Sequence, residues 1–386
     1  MKDFPIVTIS LINYNGKKFV FQAIESAVNQ DYPNLEIILI DNNSTDGTRE
    51  EIEKRISGWE ERRREIAKTY RLKPELQNLS GTHSLECKNI KYIKNTENAG
   101  FGKPHNEAIR MMKGDFILLL NYDAILKSDY IKNVLKIFKN KKVGAVQGKL
   151  LRYDFDKNKL CKDKNNPELN IIDTTGLMIF KNRRIVCIGQ GEADKKQFEK
   201  KAEIFGADGA VPVYRKEMLE DIKLPIIQNS KFKIQNSIYE YFDENFFMYK
   251  EDVDLAWRMQ LAGWKAIYTS QAVAYHGRGS GDSMANNYLE IIKERRKINN
   301  FAKYLSFKHQ RLMQIKNDFP SLLFIKHLPQ FIIKEIGAWI YIVIFEKSIF
   351  KILKDLYNDV PLFFKKRKIV MAKKRVNAKE MEKWFK

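Results

Sequence analysis

Cysteine is scarce: the 386 residues hold three, Cys87, Cys161 and Cys187, and no two form a CxxC pair. An odd number without ligand spacing argues against a disulfide framework or a structural zinc site and fits a reducing compartment. A basic region and an apolar stretch with a cleavage site are both missing before the strand-like run Ile6–Ile12, so no secretory signal peptide is expected. The longest apolar run, Ile336–Phe345, has ten residues between Glu335 and Glu346. That falls short of the roughly 20 needed to span a bilayer. No internal repeat or long low-complexity segment is present. The first strand leads into NYNGKKF, which is neither the GxGxxG of a nicotinamide site nor the GxGTR-like loop of a sugar nucleotidyltransferase.

What is present suffices for a large core. Hydrophobic residues make up 44% and aromatics 12%, which excludes global disorder. The length allows one large α/β domain with an appendage, or two domains. Buried-strand patterns occur at Ile6–Ile12, Leu35–Ile40, Ile90–Lys94 and Phe116–Leu120. Helical patterns lie between them at Phe19–Gln30, Thr48–Ser57 and Pro104–Lys113. Thr48 and Glu51 have capping-box spacing, and Gly114 offers a stop. This alternation predicts a doubly wound α/β sheet, whose ligands bind at the carboxyl ends of the strands. Residues 59–86 read as a charged, polar insertion, and Leu151–Phe205 as loops and a hairpin beside a cleft.

The loops at those strand ends are polar. Asp41-Asn42-Asn43-Ser44-Thr45-Asp46-Gly47 reads either as a turn with a helix cap or as a base site in which Asp41 accepts the imide N–H of a uracil or thymine. Asn95–Asn106 places glycines before a helix start, a plausible diphosphate cradle with Lys103 adding charge, whereas His105 reads as a packing residue. Asn121-Tyr122-Asp123 ends an apolar strand in a carboxylate, which reads as a helix cap or as a ligand for Mg²⁺ or Mn²⁺. The stretch Phe246–Gly281 adds three acids, Glu251, Asp252 and Asp254, at a helix start, and one strand later His276 in a glycine-rich loop. Acids suit a helix start. A base and a metal ligand held on one sheet would explain the whole succession.

The segments ISLINYNG, LIDNNSTDGT, NTENAGFGKPHN, FILLLNYDA, IDTTGLMIF, FGADGAVPVYRKEML and YFDENFFMYKEDVDLAWRMQLAGW followed by YH resemble, in order, the family 2 glycosyltransferases of GT-A fold. The resemblance is strongest to the rhamnosyltransferase-like branch and covers roughly Ile6–Gly281. It implies a mixed, doubly wound GT-A sheet and an inverting transfer from a nucleotide-diphosphate sugar (a dTDP- or UDP-sugar, with dTDP-rhamnose one candidate). Asp41 would then contact the base. Asn13, Asn98, Gly100, Phe101, Lys103 and Asn106 would serve the nucleotide-sugar pocket together with Asn121 and Tyr122. Asp123 and His276 would hold Mg²⁺ or Mn²⁺, Asp252 would be the catalytic base with Glu251 second, and Asp208 would lie on the acceptor side. Asn121 stands where the family motif carries its first acid.

Residues 1–285 thus read as a catalytic domain and 286–386 as a helical, amphipathic, basic extension. From Ile291 onward there are 23 Lys and Arg against 8 Asp and Glu, so +15 of the net +21 lies in this last quarter. Two readings of the extension stand: a buried helix in a subdomain, or interfacial helices on an anionic membrane with Lys365-Lys366-Arg367-Lys368 adding attraction. Nucleic acid is not expected as a partner, since no stacking platform accompanies the charge. Similar tails in the resembled branch accompany lipid-linked acceptors. The expectation is a glycosyltransferase of surface-polysaccharide synthesis, peripheral on the cytoplasmic face of the plasma membrane. The competing reading is a catalytically silent membrane-bound scaffold of a glycan assembly complex.

Overall fold

The computed structural model describes residues 4–58, 89–227, 234–278, 288–319, 322–346 and 349–386. The predicted insertion, 59–86, lies outside the described residues. In the first half, β1 (Val7–Asn13), β2 (Leu35–Asp41), β3 (Asn89–Lys94) and β4 (Phe116–Asn121) are all parallel. Helices α1 (Val20–Val28), α2 (48–58) and α3 (Gly102–Met111) connect them. The four predicted strands match to within a residue because their apolar runs face a core on either side of the sheet. Val7, Ile9 and Leu11 of β1 pack with Ile37 and Leu39 of β2 in one core, whereas Ile12, Ile38, Ile40 and Leu119 lie in the other. Each such aliphatic side chain contributes about 1.5–3 kcal/mol by leaving water.

The second half is mixed. It comprises β5 (Ala124–Leu126), α4 (Tyr130–Ile137), β6 (Val143–Asp154), β7 (Lys159–Leu160), β8 (Ile172–Thr174), β9 (Leu177–Ile179), β10 (Ile185–Cys187), β11 (Ala202–Ile204), β12 (Pro212–Arg215) and α5 (Lys216–Ile222). A hairpin of β13 (Leu224–Ile227) and β14 (Ile234–Glu240) then precedes α6 (Glu251–Leu261) and β15 (Lys265–His276). The main sheet runs β11-β15-β6-β12-β4-β1-β2-β3, with β12 antiparallel to both neighbours and β15 parallel to β6. Short β5 pairs with the end of β15, setting Ala124 opposite His276.

One helix start differs from expectation. Asp46, not Thr48, caps α2: its carboxylate accepts the backbone N–H and the hydroxyl of Thr48. The polar turn preceding α2 offered both residues, and the carboxylate is the stronger acceptor for a helix N-terminus.

The chain continues through α7 (Tyr288–Lys297), α8 (Asn300–Asn317), α9 (Leu322–Phe345), α10 (Ile349–Ala372) and α11 (Ala378–Glu382). Leu312 and Met313 of α8, Phe363 and Val370 of α10, and Trp384 and Phe385 share a core with Trp257 and Leu261 of α6. Two fully buried lysines enter this contact. Lys316 meets Asp243 and Asp254, and Lys366 meets Asp243 and Glu240. Asp254 also accepts from Arg258 and Asn317, so its carboxylate is buried in a network that joins α6 to α8. Such clusters are costly to desolvate, and removing one member leaves an uncompensated charge.

Helix α9 corrects the estimate from the ten-residue run. Lys326, Lys334 and Glu335 do not interrupt it, and its stretch Ile325–Phe345 is long and apolar enough to cross a membrane by length and composition. Tyr341 and Ile342 are buried against Tyr304, Leu305 and Phe307 of α8, while Ile333, Ile336, Ile340, Val343 and Ile344 are exposed.

Replacing Lys316 by Met leaves Asp243 with Lys366 and Asp254 with Arg258 and Asn317 but removes the cation the two acids share, and is expected to cost about 3 kcal/mol of stability in urea denaturation. A loss below about 1 kcal/mol would contradict the account of this cluster.

Candidate active site

The carboxyl ends of the parallel strands open into one cavity of about 550 Å³. Tyr14 follows β1, Asn42 follows β2, Asn98, Gly100 and Phe101 follow β3, and Asn121, Tyr122 and Asp123 lie at the end of β4. The opposite wall is built by Leu177, Ile185, Val186 and Cys187, by Asp208–Ala210, and by Met248–Val253. Ser306 of α8 closes part of the rim.

One corner gathers a carboxylate and an imidazole. The β5–β15 pairing and the Gly277 N–H, which donates to Asp123 O at 2.8 Å, bring the two chain segments together. Asp123 Oδ1 lies 3.4 Å from His276 Nε2, and the other ring nitrogen, Nδ1, lies 2.8 Å from Asp173 Oδ2. Burial pushes the His276 pKa down, but the carboxylates of Asp123 and Asp173 overcome it and raise the value to about 10. Burial likewise opposes the Asp123 charge, and the neighbouring His276 outweighs it and lowers the pKa. A divalent cation fits this donor set: one carboxylate oxygen and one imidazole nitrogen converge, with a buried carboxylate behind the imidazole. Among the described residues no group of three metal-ligating side chains gathers. A cation here would therefore draw most of its shell from substrate oxygens and water, as Mg²⁺ and Mn²⁺ commonly do.

The facing corner holds the acids of α6. Asp252 Oδ2 accepts the Gly209 N–H at 3.2 Å, and its Oδ1 accepts the Val253 N–H at 2.7 Å. Burial and the nearby Asp208 carboxylate push the Asp252 pKa up to about 6. Glu251 is raised well above the usual range, first by burial and then by Asp252, and its Oε2 is buried without a hydrogen-bond partner. Burial and the neighbouring Asp252 charge disfavour ionisation of Glu251, which leaves Asp252 as the better-placed carboxylate to take a proton. Preceding them, Tyr249 and Lys250 both have positive φ, 69° and 80°. Two successive left-handed residues cost about 1–2 kcal/mol each. Backbone strain of this kind tends to cluster at functional sites.

The residues singled out in the sequence separate into two groups. Asn98, Gly100, Phe101, Asn121, Tyr122, Asp123, Glu251, Asp252 and His276 line the cavity. Asp41, Asn13, Asn106 and Lys103 do not. Asp41 is fully buried, bound by Arg49 Nε at 2.9 Å, the Ser44 N–H at 3.0 Å and Asn13 Nδ2 at 3.0 Å. Its neighbour Asn42 reaches the cavity instead, and clamps the next loop through Asn98 and Gly100.

Asn106 spends its amide on the backbone at Tyr241 and Phe242 and on Glu244, and Lys103 is an exposed partner of Glu97. The glycine loop lines the cavity and is also tightly packed. At Gly100, φ is 77° and a Cβ would lie 2.0 Å from the Phe247 carbonyl, while the Phe101 N–H already donates to that oxygen. His105 is buried against Ser10, and burial holds its pKa down at about 3. Sequence reading gave no role to Tyr14, Asn42, Lys250 or Arg278, whereas the β9–β10 hairpin falls in the stretch expected to hold a hairpin beside a cleft. Tyr14, Asn42 and Lys250 lay within the quoted segments, with Tyr14 and Asn42 at strand ends where they could have been flagged.

The family model of glycosyl transferase family 2 matches residues 8–223, more than half of the chain, and the chain belongs to that family. The fold agrees with this assignment: a mixed α/β sheet whose parallel half carries the cavity. Among its relatives is an uncharacterized glycosyltransferase of Haemophilus influenzae, 28% identical over 135 residues, which are 35% of this chain and 33% of that protein. Chondroitin synthase of Escherichia coli is 27% identical over 139 residues, 36% of this chain and 16% of that protein. An N-acetylglucosaminyl-diphospho-decaprenol L-rhamnosyltransferase of Mycobacterium tuberculosis is 38% identical over 68 residues, 16% of this chain and 22% of that protein. The chain thus spans a third or less of the length of these relatives. Among solved structures, residues 1–349 of Staphylococcus aureus TarS with UDP-GlcNAc are 15% identical, with 95% of this chain and 89% of that one covered, at a TM-score of 0.45.

The Asp252 environment sets a pH expectation. The Asp252 carboxyl is expected to titrate with a midpoint near pH 6, seen as a limb in a ¹³C NMR pH titration of the side chain. Asp208→Ser removes a neighbouring charge and should move that limb to lower pH. An unmoved limb would contradict the pairing of the two acids.

Proposed function

We propose that this chain is an inverting glycosyltransferase that moves a sugar from a nucleotide-diphosphate sugar to an acceptor hydroxyl in surface-polysaccharide synthesis. The observation that carries the reading is the division of one cavity between a carboxylate poised to ionise near neutral pH, Asp252, and a carboxylate–imidazole pair, Asp123 and His276. A hydroxyl is a poor nucleophile. Asp252 takes its proton as the oxygen attacks the anomeric carbon, and the bond to the diphosphate breaks on the opposite face. Asp123 and His276 would hold Mg²⁺ or Mn²⁺, which when bound supplies charge neutralisation for the departing diphosphate. The base of the nucleotide belongs at the Tyr14–Asn42–Asn98 end, where Asp41 acts from behind the wall by fixing that loop.

The donor is a dTDP- or UDP-sugar, with a rhamnosyl donor suggested by the motifs of the resembled branch and by the rhamnosyltransferase relative. The acceptor is a glycan hydroxyl on a lipid carrier. Residues 1–285 act as the catalytic domain. Residues 286–386 fasten to it through α8 and α10 and present the exposed side of α9 to the cytoplasmic face of the plasma membrane, where basic residues add attraction to anionic lipid.

Two measurements test this reading. With Mn²⁺ and a cognate sugar nucleotide, Asp252→Asn should lower kcat by about 10²–10⁴-fold while nucleotide binding persists. Asp123→Ala should weaken Mn²⁺-dependent binding of UDP or dTDP. The proposal fails if the purified protein with Mn²⁺ binds neither nucleotide, or if sugar transfer survives Asp252→Asn; binding without any turnover would favour the silent scaffold.

For the membrane, Ile340→Glu with Ile344→Glu leaves the buried side of α9 intact and should reduce co-sedimentation with anionic vesicles at least tenfold. Wild-type binding should weaken as salt shortens the electrostatic range. Equal sedimentation of both proteins would contradict this docking face.

A further inference from the structure

The segment Ile172–Thr174 carries an acid that the reaction outlined above does not use. Asp173 is fully buried and does not line the cavity. It lies on β8, which pairs with β6 at Leu151 and Leu150, and β6 pairs in turn with β15, setting Arg152 opposite His276. Three strands therefore fix the distance from Asp173 to the end of β15. Its Oδ2 lies 2.8 Å from His276 Nδ1, and its Oδ1 accepts from Arg278 Nη1 at 3.0 Å. The rest of the Arg278 guanidinium is weakly engaged. Nη2 has the Cys187 sulfur at 3.7 Å, and Nε is buried without a partner, although the side chain lines the cavity.

We propose that Asp173 is a positioning residue for the transfer reaction: one oxygen holds the His276 ring with Nε2 facing Asp123, and the other tethers Arg278 so that its remaining edge meets the donor diphosphate. This rests on the function proposed above. The chemistry follows from the donor count. Arginine only donates, so it always requires an acceptor from residue 173. With a carboxylate there, a second acceptor remains for the His276 Nδ1–H, so a cation beside Asp123 displaces only the Nε2 proton. An amide has a single acceptor oxygen. In Asp173→Asn, Arg278 claims that oxygen and the NH₂ group faces Nδ1. The ring proton then moves to Nε2, where it blocks ligation. Removing Arg278 leaves only the more distant Arg152 Nε, 3.9 Å from that oxygen, so the amide can turn its oxygen toward the imidazole and restore the Nδ1–H contact.

Mn²⁺ binding to the full chain, read from the loss of the free-ion EPR signal, tests this without turnover. Asp173→Asn should weaken Mn²⁺ affinity by about 10–100-fold. The double variant Asp173→Asn/Arg278→Ala should recover most of it, which a merely structural role for Asp173 would not allow. Arg278→Ala alone keeps the Asp173–His276 pair and should leave Mn²⁺ affinity unchanged, while lowering the preference for UDP over uridine at least tenfold. That variant also keeps the test open if Asp173→Asn fails to fold. Wild-type Mn²⁺ affinity retained in Asp173→Asn, or UDP preference retained in Arg278→Ala, overturns this inference and leaves the proposed function standing. Absence of Mn²⁺ and UDP binding by the wild-type protein overturns both.

Discussion

The pairing of Ala124 with His276 is the constraint on which the rest of the cavity depends. It joins β5, which follows β4 after the turn at Tyr122 and Asp123, to the end of β15. Without it, Asp123 and His276 would sit on separate loops far apart in sequence. With it, one carboxylate and one imidazole face each other at 3.4 Å, and the buried Asp173 stands behind the ring. A single short backbone ladder thus converts two unremarkable polar residues into a coherent donor set, with Asp123 in the short turn between β4 and β5 and His276 at the end of β15.

The opposite wall is fixed by a different force. Helix α6 starts at the cavity with Glu251 and Asp252 and buries Asp254 in a network with Arg258, Lys316 and Asn317. The network spans α6 and α8, and Lys366 of α10 extends it through Asp243. The extension is therefore clamped to the back of the helix whose front bears the proposed base.

Much of this was legible in the residues. Continuous apolar runs ending in polar loops announced the parallel half, because strands buried on both faces read as near-continuous hydrophobic runs. The order of motifs announced the family, and Asp123, Asp252 and His276 fall in one cavity. The failures share a cause. Asp41, Asn13 and Asn106 are polar residues near strand ends, but their hydrogen bonds are consumed in holding loops, and sequence does not reveal which side of a loop a side chain takes. Lys103 was counted for its charge, which the neighbouring Glu97 neutralises at the surface. Asp173 and Arg278 meet the site only through long-range pairing of β6, β8 and β15, which no local pattern encodes. For the last quarter, charged residues within α9 concealed a helix twice as long as its apolar run.

The central claim is that one carboxylate, Asp252, acts opposite one leaving group in a single displacement. The anomeric configuration of the first-formed product, determined by NMR with the cognate sugar nucleotide, tests it most directly. Inversion relative to the donor is the expected result. Retention of configuration would contradict the account, since it requires a second displacement or a front-side path that this arrangement of Asp252, Asp123 and His276 does not provide.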